Sequence, residues 1–121
     1  MTGVELNLVV IRAKDIDRAA AFYSLLGLQF KKHRHGKGPE HYASDIGGTV
    51  FEIYPHQEEE GGSTGTRIGF KVPSVDAAVA ALKKAGAHVV SSPKDSIWGR
   101  RAVIVDFDGH LVELTERLTP R

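Results

Sequence analysis

The chain has 121 residues, a length that suits one compact unit with a real hydrophobic core. Its 16 Lys and Arg against 15 Asp and Glu leave no basic excess, which removes the electrostatic case for nucleic acid as the main partner. The lack of cysteine excludes disulfides and thiolate chemistry, no apolar run approaches the roughly 20 residues of a membrane span, and no signal-peptide pattern opens the chain, so a soluble cytoplasmic protein is the expectation.

Taken in chain order, VELNLVVIRAK has the branched apolar content of a strand. DIDRAAAFYSLLG follows as a helix. Asp15 can cap its start, Asp17 suits its positive end, and Gly27 can stop it in a left-handed conformation. Ile16, Ala19, Ala20, Phe22, Tyr23 and Leu26 recur at helical spacing and give one buried face. LQFKKHRH reads as a strand running into the basic turn HGKGPEH, and HYASDIGGTVFEIYP as a hairpin turning at Gly47-Gly48 and ended by Pro55. HQEEEGGSTGT lacks any hydrophobic pattern and reads as a surface connection.

The order then recurs. TRIGFKVP is a strand, and SVDAAVAALKKAGAH is a helix capped by Ser74 and stopped by Gly86, with Val75, Ala78, Val79 and Leu82 on its buried face. AHVVSSP is a strand, and RRAVIVDFDGHLVELTE is a hairpin turning on DFDG. Asp17 and Asp76 lie 59 positions apart, as do Gly27 and Gly86, and Leu8 and Arg67. Across the hairpins the offset is 61, pairing Asp45 with Asp106, Gly48 with Gly109 and Glu52 with Glu113. The sequence therefore predicts an α+β fold of two tandem βαβββ modules, about 4–56 and 66–118, joined by a linker at 57–65, with helices on the outer face of a curved sheet.

Strand alternation assigns the faces. Val9 and Ile11 face the helices, as do Ile68, Phe70 and Val72, Phe51 and Ile53, and Val112 and Leu114. Leu8, Val10, Arg12, Arg67, Gly69, Lys71, Glu52 and Glu113 take the other side, together with Tyr54. Sparse charges among apolar residues on that side suit either a solvated surface or a cavity wall. Two glutamates at matching repeat positions, with Arg67, favour the cavity.

With these residues in place, the sequence resembles the vicinal oxygen chelate superfamily, the group of glyoxalases, bleomycin resistance proteins and extradiol dioxygenases. The resemblance runs from about Leu6 to Glu116. It is carried by VVIRAKDIDRAAAFYSLLGLQF and by the closing DFDGHLVELTE, where Phe107 replaces the usual proline of an aspartate-proline-aspartate-glycine turn. Metal-using members of that group take one ligand from the first strand and one from the last strand of each half. Carried onto this chain, those positions are Leu8, Glu52, Arg67 and Glu113. The glutamates are suitable. Leucine has no donor atom, and arginine has no lone pair and repels a divalent cation. A lost metal site, with no cofactor, is the expectation, and an Arg67 pairing with Glu52, Glu113 or both is the simplest way to place those carboxylates in a partly dry pocket.

The histidines offer no clear replacement. His33, His35 and His41 cluster at a turn, but KKHRHGKG is basic and suits a solvated loop, and His110 is expected on a hairpin surface. In IWGRR, Trp98 could stack on a flat ligand beside an anion-binding Arg101, or pack on the other half or a second subunit. Tyr42 is a secondary candidate for the cavity lining. The resulting expectation is a protein that binds a small, anionic or aromatic molecule through Arg67, Arg12, Leu8, Tyr54, Trp98 and Arg101, without a metal. A metal-dependent lyase, isomerase or dioxygenase of the same group is the alternative, as is a metal-free enzyme with Glu52 or Glu113 as base. The resemblance also implies a homodimer.

Overall fold

A computed structural model describes residues 3–58 and 61–116. The chain divides into two compact units between Gly62 and Ser63. The first contains β1 (Leu8–Ala13), α1 (Ile16–Ser24), β2 (Lys31–His33), β3 (His41–Ile46) and β4 (Thr49–Pro55). The second repeats the order with β5 (Arg67–Lys71), α2 (Val75–Lys84), β6 (His88–Ser96), β7 (Gly99–Val105) and β8 (Leu111–Glu116). This is an α+β fold of two βαβββ modules. Among the described residues, no helix is long and apolar enough to cross a membrane.

Each helix starts where its cap dictates. The Asp15 carboxylate accepts from the Arg18 amide at 3.0 Å, and the Ser74 hydroxyl from the Ala77 amide at 3.1 Å. Gly27 and Gly86 end them with φ of 103° and 99°, conformations that cost a side chain. The apolar stripes then have one place to go. Ala19, Ala20, Phe22 and Tyr23 of α1 are buried, and the Tyr23 ring meets Phe51 of β4 edge-on at 5.1 Å. Val75, Ala78, Val79 and Leu82 of α2 are buried against the second sheet. Full burial of one such large side chain stabilises by roughly 1.5–3 kcal/mol.

The sheets share one topology, β1-β4-β3-β2 and β5-β8-β7-β6, with the first pair in each parallel and the others antiparallel. In register, Val9 pairs with Phe51 and Ile11 with Ile53, and likewise Ile68 with Val112 and Phe70 with Leu114. Ile11, Ile53, Val112 and Leu114 are fully buried, so the helix-facing assignment from alternation holds. The residues between them, from Leu8 to Arg12 and from Arg67 to Lys71, take the open face.

Three local expectations need correction. The strand read across LQFKKHRH pairs only over Lys31–His33. The strand read across AHVVSSP continues through Pro93 to Ser96; β6 is an edge strand, and its register shifts between Ser91 and Lys94 absorb the missing proline amide. The linker runs over the surface and is tied down there: Gln57 bridges to Gly61, the Thr64 hydroxyl donates to the Asp108 carbonyl at 2.9 Å, and the Gly65 amide donates to Gly109 at 3.1 Å. A Cβ on Gly109 would lie 2.8 Å from the Thr64 methyl, at a φ of 86°, so glycine is required there twice over.

His110 is not a surface residue. It is 0% exposed, with Nδ1 2.7 Å from Asp106 Oδ2 and Nε2 2.5 Å from the Ser63 hydroxyl. Asp106 Oδ1 accepts from the amides of Asp108 and His110 at 2.9 Å each, which curls the turn so that the imidazole is folded beneath it.

Candidate functional site

In the second module, parallel pairing sets Gly69 beside Glu113, and antiparallel pairing sets Val103 on its other flank. Arg67 and Arg101 are the open-face diagonal neighbours of Glu113. Both reach it. Arg101 forms a short, charge-assisted contact through Nη2 and a second hydrogen bond through Nε at 2.7 Å to the same Oε1, and Arg67 Nη1 stands 3.5 Å away. The Arg101 hydrogen bond, aided by the Arg67 charge, holds the Glu113 carboxyl below its ordinary range, while partial burial opposes this. The missing Cβ of Gly69 leaves that side of Glu113 uncrowded, the nearest contact of an added Cβ being 3.9 Å.

A cleft of about 550 Å³ opens here, lined by Gly69, Lys94, Ser96, Trp98, Arg101, Glu113 and Thr115. Trp98 is 77% exposed at the β6–β7 turn, where the Ser96 hydroxyl accepts from its amide at 3.2 Å and donates to the Gly99 carbonyl at 2.7 Å. A fixed turn thus holds an apolar ring over a cleft whose side chains carry a net positive charge.

The first module has the same frame and different contents. Val10 lies beside Glu52 on β1 and Ala43 beside it on β3. Its diagonal neighbours are Leu8, 49% exposed and without a donor, and His41. His41 is buried. Its ring stacks on Tyr54 at 4.2 Å and 8° between planes, Nδ1 lies 3.2 Å from the Pro39 carbonyl, and Nε2 lies 3.8 Å from Glu52 Oε2. The Arg12 guanidinium sits 5.3 Å over the Tyr54 ring and donates to Pro55 O at 3.3 Å. Burial, then the Glu52 charge, raises the Tyr54 phenol above its ordinary value, so it keeps its proton at neutral pH.

The predicted residues thus fall into two groups. Arg67, Arg101, Glu113 and Trp98 come together in the second module, and Arg12, Tyr54 and Glu52 in the first, with Leu8 on the same strand face. Tyr42 belongs to neither: in register with Ile53 it turns toward α1, and its hydroxyl donates to Asp17 at 2.6 Å. That bond raises the Tyr42 phenol above its ordinary value. The basic composition around His41 suits a solvated loop, yet His41 is buried beside Glu52, with the His33 and His35 rings 6.0 and 5.2 Å away. The signal that could have found it is the repeat itself, because His41 stands two residues before the partner of Glu52 just as Arg101 does for Glu113.

The donor set at the four first-strand and last-strand positions does not fit a divalent ion. Leu8 supplies nothing, Arg67 supplies a positive charge, and Glu113 is occupied by two guanidiniums.

Comparison with known proteins agrees with this architecture. An uncharacterised protein of Mycolicibacterium smegmatis is 29% identical over 110 residues, covering 91% of each chain. TioX from Micromonospora sp. ML1 is 27% identical with a TM-score of 0.73, over 95% of this chain and all of that one. TnmS3, an antibiotic binding protein from Streptomyces sp. CB03234, is 22% identical with a TM-score of 0.74, over 98% and 99% of the two chains. The family description that matches residues 5–114 names the group outright: the chain belongs to the Glyoxalase/Bleomycin resistance protein/Dioxygenase superfamily.

Proposed function

We propose that this protein binds a small planar molecule carrying an anionic group, without a metal, in the cleft of the second module. The observation that carries the reading is the Arg101–Glu113–Arg67 cluster beneath an exposed Trp98. Two guanidiniums share one carboxylate, and Lys94 adds a further cation, so a ligand carboxylate or phosphate meets unspent positive charge. Trp98 offers a flat face to the rest of the ligand. The antibiotic-binding TnmS3 shares the fold, which is consistent with sequestration as a role for this architecture. We take the assembly to be a cytoplasmic homodimer, which light scattering on the purified protein tests.

A thermal-shift panel tests the ligand class. 1-Naphthoate is expected to stabilise by about 2.7 kcal/mol at a hundredfold excess over its Kd, with naphthalene and inorganic phosphate each doing less. Loss of the naphthoate effect in both Trp98→Ala and Arg101→Met supports the site. An unchanged effect in both refutes it, and a stoichiometric divalent ion in the purified protein refutes the metal-free part.

A second reading, a metal-free enzyme with a carboxylate base, is favoured by one observation in the first module. Glu52 has no guanidinium partner within salt-bridge distance among the described residues, whereas Glu113 is neutralised by two. Of the two candidate bases, Glu52 is therefore the one left able to act.

A further inference from the structure

We infer that His41 is the buried partner of Glu52 in a proton-accepting pair on the first module's open face, suited to a ligand with an acidic hydroxyl, a phenol or an enol. The inference deepens the small-molecule reading above and rests on it.

The hydrogen inventory is what singles out this pair. The Pro39 carbonyl can only accept, so the 3.2 Å contact to Nδ1 places the imidazole proton there. In the neutral imidazole Nε2 then carries a lone pair. Tyr54 Oη is 3.5 Å from Nε2, but the two rings are stacked nearly parallel, so that oxygen lies above the imidazole plane and not along the lone pair. Glu52 Oε2, at 3.8 Å, is a second acceptor. With the imidazole neutral, two acceptors face each other, in a place where the imidazole is buried. One added proton repairs the arrangement, as a carboxylic acid donating to Nε2 or as an imidazolium donating to the carboxylate.

Glu52 is the exposed end of the pair, with 18% of its side chain accessible, and so it is the group a ligand touches; His41 acts through it as a positioning residue. The other polar groups narrow the ligand. A carboxylate would meet Glu52, and an ammonium would meet Arg12 across the Tyr54 ring. A neutral hydroxyl meets neither objection. When it gives its proton to the Glu52–His41 pair, the electron pair stays on the ligand oxygen. The charge left there has Arg12 and the retained Tyr54 proton on the same strand face, and no other reactant is needed. Among the described residues, the other titratable rings against His41 are those of His33 and His35.

Two measurements test this on the intact protein. Long-range proton–nitrogen spectra of His41 at neutral pH should show the neutral Nδ1–H tautomer, and an Nε2–H tautomer or an imidazolium would overturn the inference. 4-Nitrophenol, whose phenolate absorbs in the visible, should bind about tenfold or more tightly than nitrobenzene and show an enriched phenolate band when bound. His41→Phe, which keeps the stack on Tyr54, and Glu52→Gln should both abolish the enrichment. His41→Gln, which retains an acceptor, should keep part of it. Equal binding of nitrobenzene, no binding of nitrophenol, or full enrichment in Glu52→Gln counts against the pair. Should His41→Phe fail to fold, the tautomer and Glu52→Gln still decide. If naphthoate still binds the second module while these tests fail, this inference alone falls; if both fail, the binding reading falls with it.

Discussion

Glu52 and Glu113 occupy the same position in β4 and β8, yet Glu52 faces an imidazole at 3.8 Å whereas Glu113 is bonded to Arg101 and flanked by Arg67. The backbones around them are the same in order, pairing and register. What differs is the pair of diagonal neighbours: Leu8 and His41 in one module, Arg67 and Arg101 in the other. A carboxylate under two guanidiniums is a fixed anion, useful as part of an anion-binding cluster and poor at accepting protons. A carboxylate without a guanidinium keeps its oxygens available to accept from a ligand. One duplicated frame thus holds two kinds of chemistry, with only side chains on adjoining strands deciding which.

The hairpin turns diverge in the same way and give the largest expected effect. In the first module Asp45 accepts from the Gly48 amide at 3.0 Å in an exposed turn, and Thr49 donates to Leu6 O at 2.7 Å. In the second, Asp106 and His110 are buried against Ser63. His110→Ala removes the imidazole that faces a buried carboxylate at 2.7 Å and should lower unfolding free energy by about 3 kcal/mol. Thr49→Ala should cost under about 1 kcal/mol. Urea unfolding of both variants checks the contrast, and equal losses would mean that the two turns are energetically alike.

Next in size is Arg101→Met. It removes the stronger partner of Glu113 while Arg67 remains, and should cost about 1.5–3 kcal/mol near neutral pH. The pH dependence gives a sharper test. The Glu113 carboxyl is depressed below its ordinary 4.5 in the folded state, so the stability it contributes is complete above 4.5 and is lost as pH falls below that value through the folded one. The gap between wild type and Arg101→Met should therefore narrow on acidification below 4.5. A gap that stays constant would show that packing of the Arg101 stem, and not its charge, carries the effect.

The residues legible in the sequence were those that obey a period. Alternation placed Ile11, Ile53, Val112 and Leu114 inward, helical spacing found the stripes on α1 and α2, and the constant offsets aligned Glu52 with Glu113 and Leu8 with Arg67. His41, His110 and the Arg101–Glu113 bond were not legible, because each depends on which strand lies beside which. His41 sits at the end of a turn rich in Gly, Lys and His, and local composition describes it as solvated. Antiparallel pairing with β4 buries it instead. Tyr42 is hidden for a related reason: its face is set by that same register, which sends it to the helix side with Ile53.

Arg67→His is expected to have the smallest effect, and it bears directly on the divergence between the modules. Arg67 is half exposed and 3.5 Å from Glu113, so losing the pair should change stability by no more than about 0.5 kcal/mol. The substitution puts an imidazole, a common metal ligand, diagonal to Glu113 at a first-strand position. Even so, Arg101 still holds both of its contacts to Glu113 Oε1, and a guanidinium in that place repels a divalent ion. The single variant should therefore show no nickel-dependent thermal shift. Arg67→His combined with Arg101→Met frees the carboxylate beside the new imidazole and should show a weak one. Nickel binding by the single variant would mean that Arg101 yields Glu113 readily, and the carboxylate would then be as open as Glu52. If neither variant binds, the face has lost more of the metal geometry than its two arginines account for.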